Sequence, residues 1–298
     1  MELVQELINL KVGRVIPNVS LKEYTTYRIG GTARVLVFID SIDSLKKLLQ
    51  FLRKNQIKHK ILGNGSNLIF KDGLYNGVLI RLTDLNHMEI RGTEIEVEAG
   101  YSLQKLALKA AKASLTGLEF AAGIPGTVGG AIFMNAGAYK SDMGYIVRCV
   151  TMLDENLEVK TITNKECNFH YRTSYFKEHP NCVCLSAILT LNKGMSQAIL
   201  AVMEDRKTRR VLSQPLEYPS AGSVFRNPEG DYAGRLIESL GYKGKLFGGA
   251  MVSEKHANFI INKENAKASD VITLIYDIQK NVKKTYGIDL KLEQEIVE

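Results

Sequence analysis

The chain has 298 residues, of which 45% are hydrophobic and 24% are charged, and its formal net charge is +7. These values are typical of a folded globular protein and exclude a disordered or low-complexity chain, and the length is sufficient for two domains. A net positive charge favours anionic ligands such as nucleotides, phosphates and carboxylates. Because lysine and arginine are dispersed along the chain, the charge does not predict binding to nucleic acid.

The first residues and the cysteines indicate the compartment. Charges interrupt the apolar residues of "MELVQELINLKVGR", so no secretory signal is predicted and the cytoplasm is the expected location. Free thiols are expected there. A zinc site could use the composition of residues 167–184, which hold three cysteines and two histidines. The pattern "CVCLSAILTL" instead indicates a buried strand, so we predict no metal.

The first third of the chain reads as strand, helix, strand. A strand is predicted at "RVLVFI" (34–39), and Asp40 or Ser41 can cap the helix that follows. Apolar residues recur at helical spacing there, at Ile42, Leu45, Leu49 and Leu52. The stretch "KHKILGNGSNLIF" then predicts a strand, a glycine turn and a second apolar run. This is a small α/β unit.

A second unit follows, with strands predicted at "GVLIRL" and "EIEVEAG" and a helix over 103–113 that Gly117 would end. Strands are also predicted at "VRCVTML", "LEVKTIT" and "CVCLSAILTL". We therefore divide the chain into an N-terminal segment (1–24), a region with two lobes (25–193, the lobes at about 25–85 and 86–193) and a C-terminal domain (194–298).

The C-terminal domain is predicted to open with a helix over "SQAILAVMEDRKTRRVLS". A later helix has Ser269 as its predicted N-cap and Gly287 at its end, with an apolar stripe between them. The tail "IDLKLEQEIVE" is predicted to be a strand. On such a strand Glu293 and Glu295 would lie on one face.

The stretch "EFAAGIPGTVGGAIFMNAGAYK" (119–140) is uncharged between its ends but does not fit a membrane span. A spanning helix must satisfy its own backbone, and each glycine costs about 1 kcal/mol in a helix, proline about 3. Dense glycine instead allows sharp turns and the close approach of a ligand. We infer that something large and polar binds against this segment.

Two glycine loops, "GNGSN" (63–67) and "GIPGTVGG" (123–130), carry the ligand prediction. Neither matches the G-x-G-x-x-G fingerprint of Rossmann folds, and the chain contains no P-loop. Consecutive amide groups in such turns nevertheless form a concavity that binds anions. The two loops together favour a dinucleotide.

Residue types alone do not assign a role to two further candidates. Ser223 in "PSAGSVFRNP" lies outside any G-x-S-x-G elbow, so a serine hydrolase is excluded. Arg172 in "HYRTSYF" fits a surface arginine as well as a catalytic one.

Six motifs in chain order resemble those of the UDP-N-acetylenolpyruvoylglucosamine reductase (MurB) family, the flavoenzymes of bacterial cell-wall precursor synthesis. They are "TTYRIGG", "ILGNGSNL", "GLEFAAGIPGTVGGAIFMNAGAY", "YRTSYF", "AGSVFRNP" and "GGAMVSEKHANFIIN". The resemblance implies an α+β fold, with a two-lobed FAD-binding region of the vanillyl-alcohol-oxidase (PCMH) type followed by an α/β substrate-binding domain. No long insertion separates Arg172 from Ser223, which resembles the shorter family variant without a tyrosine loop.

The resemblance implies that NADPH reduces FAD and that reduced FAD reduces the enolpyruvyl ether of UDP-N-acetylglucosamine enolpyruvate to UDP-N-acetylmuramate, for peptidoglycan. The matching catalytic positions are Arg172, Ser223 as proton donor, and Glu293, with Glu295 left open as the alternative carboxylate. Another FAD oxidase or dehydrogenase on the same scaffold is the alternative function, and a nucleotide-binding regulator without catalysis is a rival class.

The resemblance also implies the binding residues. FAD is expected to be non-covalent, since neither glycine loop contains a histidine. No nucleic acid, membrane or obligate protein partner is implied. The residues expected to bind FAD are Gly63, Asn64, Gly65, Ser66, Asn67, Leu68, Gly123, Pro125, Gly126, Thr127, Gly129, Gly130, Asn135 and Gly137, and those expected to bind the UDP-sugar are Arg210, Phe225, Arg226, Asn227 and His256.

Overall fold

A computed structural model describes residues 2–298. Its helices are α1 (Glu2–Asn9), α2 (Ile42–Lys54), α3 (Leu103–Lys112), α4 (Val128–Met134), α5 (Tyr175–Glu178), α6 (Ser196–Ser213), α7 (Ala233–Ser239) and α8 (Ala268–Tyr286). Short 3-10 helices occur at Leu21–Glu23, Glu119–Ala121 and Met143–Tyr145.

The strands of the first half are β1 (Arg14–Ser20), β2 (Thr32–Phe38), β3 (His59–Ile61), β4 (Leu68–Phe70), β5 (Leu74–Arg81), β6 (Met88–Arg91), β7 (Glu94–Glu98), β8 (Leu115–Thr116), β9 (Gly137–Ala138) and β10 (Ser141–Asp142). Those of the second half are β11 (Val147–Leu153), β12 (Val159–Thr163), β13 (Val183–Thr190), β14 (Asn192–Lys193), β15 (Leu246–Phe247), β16 (Ala250–Val252), β17 (Ile260–Asn262) and β18 (Glu295–Val297).

The chain forms two compact units, each assembled from three segments. The first comprises Met1–Pro17, described from Glu2, with Val35–Asn64 and Gly77–Lys207; the second comprises Asn18–Arg34, Gly65–Asn76 and Thr208–Glu298. The functional limits drawn from the sequence after residues 24 and 193 stay a prediction.

The first unit contains an antiparallel five-stranded sheet with the order β12-β11-β13-β7-β6. Its central strands β7, β11 and β13 supply buried apolar side chains, in agreement with the buried strand predicted at "CVCLSAILTL". Strands β3 and β5 pair in parallel, with Ile61 opposite Ile80. The helices α2, α3 and α4 pack their apolar faces into the same core.

Helix ends in the first unit follow local chemistry. The Ser41 side chain accepts a hydrogen bond from the Ser44 N–H group, which settles the choice between two predicted caps of α2. The predicted end of α3 at Gly117 is wrong, because the helix ends at Lys112 with Ala113 as its C-cap, and Ser114 takes the left-handed conformation, with φ 59°. A serine can adopt that conformation at modest cost when its backbone is held.

The second unit has its own apolar core beneath α7 and α8. An antiparallel sheet has the order β15-β16-β17, and β4 pairs in parallel with β18. The predicted stripe of α8 is buried, and Gly287 ends the helix in the left-handed conformation, with φ 71°. The stripe consists of Val271, Leu274, Ile275, Ile278 and Val282.

Two local predictions for the second unit are wrong. Helix α8 starts at Ala268 with Lys267 as N-cap, so Ser269 lies inside the helix. The cause is a cap from a distant segment: the Asp72 carboxylate accepts the N–H groups of Ala268 (3.0 Å) and Ser269 (2.9 Å). The tail is a strand only over Glu295–Val297.

Segment 119–140, which prompted the question of a membrane span, folds as a 3-10 helix, the short helix α4 and the start of a hairpin. Among residues 2–298, no helix is long and apolar enough to cross a bilayer.

We predict that Asp72→Ala lowers the free energy of unfolding by about 0.5–1 kcal/mol, because two N–H groups at the start of α8 lose their acceptor. Burial raises the pKa of Asp72, but the hydrogen bonds from Ser269 and Ala268 outweigh it and hold the pKa below its usual value of 3.8. A carboxylate whose pKa is lowered by folding stabilises the folded state at pH values above its pKa in the unfolded chain. The difference between parent and variant should therefore shrink as the pH falls below 3.8.

Urea unfolding at neutral and acid pH measures this difference, with Asp84→Ala, which removes an exposed aspartate in a turn, as control. An equal loss in both variants would contradict the capping role.

Candidate functional site

In the first unit, Thr127 begins helix α4 and holds the second glycine loop. Its side chain is buried, and Oγ1 accepts the N–H group of Gly130 at 3.2 Å. The preceding Gly126 carbonyl accepts from Leu103, and the Gly129 N–H group donates to the Ala99 carbonyl at 2.8 Å. The loop is thus fixed by backbone hydrogen bonds to the segment before α3.

Gly129 and Gly130 of this loop, and Gly63 of the first glycine loop, serve different purposes. A Cβ on Gly129 would lie 2.9 Å from the Ala99 Cβ, and one on Gly63 would lie 2.8 Å from the Thr127 Oγ1. Protein packing therefore requires both. Gly130 is exposed, and outside its own helix backbone the Thr127 Oγ1, at 3.3 Å, is the only described atom within 4 Å of where a Cβ would lie. Internal packing does not explain Gly130, whereas a ligand lying on this helix start would.

The first glycine loop is divided between the units after Asn64. In the first unit the Asn64 Oδ1 accepts from Arg81 at 3.4 Å. In the second, Gly65 has φ 61°, and its Cβ would lie 2.3 Å from the Tyr24 carbonyl oxygen. Gly65 is therefore required by its own backbone.

The rest of that loop contacts the C-terminal tail within the second unit. The Asn67 Nδ2 donates to the Glu293 carbonyl at 3.0 Å, and Leu68 is the register partner of Glu295. Ser66 lies in the turn before β4.

Arg172 lies at the corner of a tight turn in the first unit. His170 and Thr173 exchange two backbone hydrogen bonds of 3.1 Å, and Arg172 between them has φ 58°. One guanidinium nitrogen donates to the Gly137 carbonyl at 3.0 Å, and the guanidinium carbon lies 5.2 Å from the Tyr171 ring centroid. A left-handed arginine is uncommon and marks a backbone held by its surroundings.

The end of α4 holds this turn. Asn135, 2% exposed and left-handed at φ 42°, donates from Nδ2 to the His170 carbonyl at 3.0 Å and accepts the Gly144 N–H at 2.9 Å. The buried Ser174 hydroxyl donates to the Phe133 carbonyl at 2.8 Å. Sequence reasoning missed Ser174, although a polar residue inside "YRTSYF" was a signal. The contact of Asn135 with FAD stays a prediction.

In the second unit, Ser223 is half-buried on an extended segment that is no regular strand. Phe225 forms an isolated antiparallel bridge with Leu292. The Val224 carbonyl accepts the N–H group of Glu293 at 2.9 Å. The structure therefore brings the Ser223 segment beside the predicted catalytic carboxylate.

The expectation that Glu293 and Glu295 share a strand face is wrong, because the chain bends at Glu293 and Gln294 before β18 begins. Glu293 is half-buried and Glu295 is exposed. The buried Gln294 side chain donates to the Gly222 carbonyl at 3.0 Å.

His256 has a defined tautomer when neutral. Its Nδ1 accepts the Asn258 N–H group at 3.2 Å, so the proton of the neutral ring sits on Nε2. Burial lowers the pKa of His256 below its usual 6.5, which keeps the ring neutral at pH 7. The ring packs edge-on against Phe259, with centroids 4.9 Å apart. His256 is thus a neutral donor.

The other predicted substrate residues occupy varied positions in the second unit. Arg210, on α6, donates from Nε to the Gln214 Oε1 at 3.2 Å. Phe225 is 1% exposed, and its ring belongs to the core. The Asn227 Oδ1 accepts the Ala233 N–H group at the start of α7, at 3.1 Å. Arg226 is half-buried next to it.

Within residues 2–298, no three His, Cys, Asp or Glu side chains are grouped to hold a metal ion. The cysteines are free thiols, and three of them are buried. Burial raises the pKa of Cys167 to about 12, which disfavours the thiolate that a metal would require.

Comparison with known proteins yields two family models. One, described as the C-terminal domain of UDP-N-acetylenolpyruvoylglucosamine reductase, matches residues 214–297. The other, described as an FAD binding domain, matches residues 33–161. The first match contains the Ser223 segment and the C-terminal tail, and the second contains both glycine loops.

Two curated relatives named UDP-N-acetylenolpyruvoylglucosamine reductase are similar over nearly the whole chain. The one from Anoxybacillus flavithermus is 46% identical and the one from Bacillus subtilis 42%, each match covering 99% of this chain and 98% of the relative. The crystal structure of UDP-N-acetylenolpyruvylglucosamine reductase (MurB) from Thermus caldophilus is 34% identical with a TM-score of 0.82, covering 96% of this chain and 99% of that one.

A more distant structure, Phl p 4.0202, a glucose dehydrogenase, has a TM-score of 0.51 at 11% identity and covers 72% of this chain and 50% of that one. That likeness concerns the fold alone.

We predict that Gly130→Val purifies without flavin while remaining folded. The new side chain would lie on the exposed surface of α4, where the Thr127 Oγ1, 3.3 Å from the added Cβ, is the one described neighbour outside the helix backbone, so loss of flavin from a folded variant would report on the ligand. The ratio of flavin to protein absorbance and the circular dichroism of each variant measure the outcome. Ala201→Val, at an exposed position of α6, controls for a β-branched residue in a helix.

Gly65 is less suitable for this test, since any side chain there would strain the backbone. Full flavin occupancy in Gly130→Val would remove α4 from the cofactor site.

Proposed function

This chain belongs to the family of UDP-N-acetylenolpyruvoylglucosamine reductases, and we propose on that premise that Ser223, Arg172 and Glu293 carry out its reaction. The enzyme is an FAD-dependent oxidoreductase with NADPH as the reductant. It reduces the enolpyruvyl ether of UDP-N-acetylglucosamine enolpyruvate to UDP-N-acetylmuramate, a step of peptidoglycan precursor synthesis. The similarity to these two relatives, 46% and 42% identical over 99% of this chain, carries this conclusion.

The family and fold predicted from the sequence are confirmed, including the α+β class with an FAD-binding region followed by a substrate domain. The alternative of an FAD oxidase or dehydrogenase with another substrate gains nothing from the glucose dehydrogenase neighbour, whose likeness extends only to the fold.

The residues around the glycine loops fit FAD. Exposed Gly130 leaves the start of α4 clear, and the loop that precedes it is held rigidly by Thr127. We assign cofactor binding to both glycine loops and expect the flavin to be non-covalent. FAD held there would supply the redox chemistry, the transfer of hydride from NADPH to the enolpyruvyl group.

Ser223 supplies the proton in this mechanism. Hydride addition leaves negative charge on the substrate carbon beside the carboxylate, and that carbon must be protonated. A serine hydroxyl is a weak acid, but the enolate-like carbon is strongly basic, so a well-aimed hydroxyl suffices. The half-buried position of Ser223 on a hydrogen-bonded segment supports this role.

Arg172 binds the substrate carboxylate. A guanidinium can hold two carboxylate oxygens at once, and its charge stabilises the negative charge that develops next to them. The hydrogen bond to the Gly137 carbonyl limits the orientations of this side chain. We assign Glu293, together with Arg172, to polarise the substrate carboxylate and the developing charge. Glu295, two residues further along the same tail, is the alternative carboxylate.

The diphosphate and sugar of the substrate are assigned to Arg210, Arg226, Asn227 and His256, with Phe225 supporting them from the core. The neutral His256 can donate from Nε2 to a phosphate oxygen without adding charge. We place the protein in the cytoplasm, and we assign no protein partner to the reaction.

We predict that Ser223→Ala leaves flavin reduction by NADPH intact and slows re-oxidation of the reduced flavin by the substrate about 10² to 10⁴-fold, since only the second step needs the proton. Anaerobic stopped-flow absorbance of both half-reactions measures the split. Ser223→Cys, which keeps a proton in place, should retain more activity than alanine.

Ser213→Ala, which removes an exposed hydroxyl at the end of α6, should match the parent. Equal re-oxidation rates in Ser223→Ala and the parent would show that Ser223 is not the donor. A parent protein whose flavin is bleached by NADPH but never re-oxidised by the enolpyruvyl substrate would refute the function itself.

We predict that Arg172→Lys also impairs the second half-reaction more than the first. Lysine keeps the charge but loses the two-pronged contact with a carboxylate. The same stopped-flow assay and a titration of substrate affinity measure the effect. Arg148→Lys, at an exposed arginine that pairs with Glu94, is the control, and similar losses in the two variants would contradict the assignment.

A further inference from the structure

Two buried carboxamide side chains hold the backbone on either side of Ser223. Gln294 contacts the residue before the serine, and Asn258 contacts the residues after it. They are 3% and 4% exposed, respectively. Neither was a candidate in the sequence, and neither has a role in the mechanism above.

Asn258 binds its partner segment through side chain and backbone. Its Oδ1 accepts the Phe225 N–H group at 2.9 Å, and its Nδ2 donates to the Phe225 carbonyl at 2.8 Å. Its own carbonyl accepts the Val224 N–H group at 2.9 Å. One side chain therefore satisfies both polar backbone groups of a buried residue, where a neighbouring strand would normally do so.

Gln294 binds the backbone on the other side of Ser223, and it does so with an unfavourable desolvation of its own oxygen. Its Nε2 donates to the Gly222 carbonyl at 3.0 Å, while its Oε1 is buried without a hydrogen-bond partner among the described residues. Exchanging the two amide atoms would point an oxygen at a carbonyl and would not relieve the cost. An unsatisfied buried acceptor costs about 1–3 kcal/mol. An apolar residue would avoid this cost, so the donation to Gly222 is the contribution that glutamine makes here.

The need for such contacts follows from the local backbone. Gly222 is left-handed, with φ 76°, and the segment after it forms an isolated bridge instead of a ladder. Serine has one side-chain torsion before its oxygen, so a given backbone position allows the hydroxyl only a few staggered positions, and a shift of the backbone moves all of them. A shift of about 1 Å at a reacting group can cost roughly 10²-fold in rate.

We propose that Asn258 and Gln294 are positioning residues that aim the Ser223 hydroxyl for proton transfer. The proposal rests on the proton-donor role given to Ser223 under the proposed function. Both amides act through the backbone and need not touch the substrate. Their removal should slow the protonation step without weakening substrate binding.

The test is a double-mutant cycle between Gln294→Met and Ser223→Ala. Methionine has nearly the same length and removes both the donor and the orphaned acceptor, so the variant should fold. We expect Gln294→Met to slow re-oxidation of the flavin by the substrate about 10- to 100-fold. Flavin reduction by NADPH and substrate affinity should be unchanged.

In the Ser223→Ala background, Gln294→Met should have no further effect, because no hydroxyl remains to be aimed. A merely structural role would slow both backgrounds by the same factor, and that result, or no slowing in either, would overturn the proposal. Asn258→Asp, which keeps the Oδ1 acceptor and the backbone N–H to His256 but loses the Nδ2 donor, should behave like Gln294→Met.

Asn262→Asp is the matched control, because the Asn262 Nδ2 also donates to backbone carbonyls, those of Tyr27 and Arg28, away from Ser223. Slowing in this control equal to that in Asn258→Asp would also contradict the proposal. If Ser223→Ala itself re-oxidises as fast as the parent, the donor role fails first and the positioning role fails with it. If Ser223→Ala re-oxidises slowly but the effects of the two substitutions are additive, the positioning role fails and the donor role stands.

Discussion

The candidate site residues of the first unit depend on the hydrogen bonds of the Asn135 side chain, which is buried at the left-handed end of helix α4. Its amide fixes the carbonyl of His170 and the N–H group of Gly144, and so holds the turn that carries Arg172. The other end of the same short helix is capped by Thr127 and presents Gly130. One rigid helix therefore sets the spacing between the surface assigned to the cofactor and the arginine assigned to the substrate carboxylate.

In the second unit, the backbone that carries Ser223 is held in place without a helix or a full strand. The Ser223 segment is held by side-chain amides and by the bent tail around Glu293, whose N–H group donates to Val224. The backbone from Val224 to Arg226 is hydrogen-bonded both by Asn258 and by the tail. This arrangement gives the segment of the assigned proton donor a defined backbone position.

Two features that the sequence misplaced share one cause, which is a partner distant in the chain. Asp72 caps α8 from far upstream, so the local signal at Ser269 was outweighed. The tail bends because Gln294 turns inward to Gly222, so its alternating pattern did not extend into a strand over its whole length.

Local spacing and motifs in register were enough to identify the family, the α+β class, the two glycine loops and most helices and strands. The same local signals narrowed the cap of α2 to Asp40 or Ser41 and predicted Gly287 and the buried stripe of α8, since each lies in its helix or directly at its end. Contacts in the folded chain were needed to separate the glycines that packing requires from the exposed Gly130, which packing does not explain. They were also needed to find Asn258 and Gln294, whose partners are backbone groups 33 and 72 residues away, because a backbone carbonyl carries no sequence signal of its own.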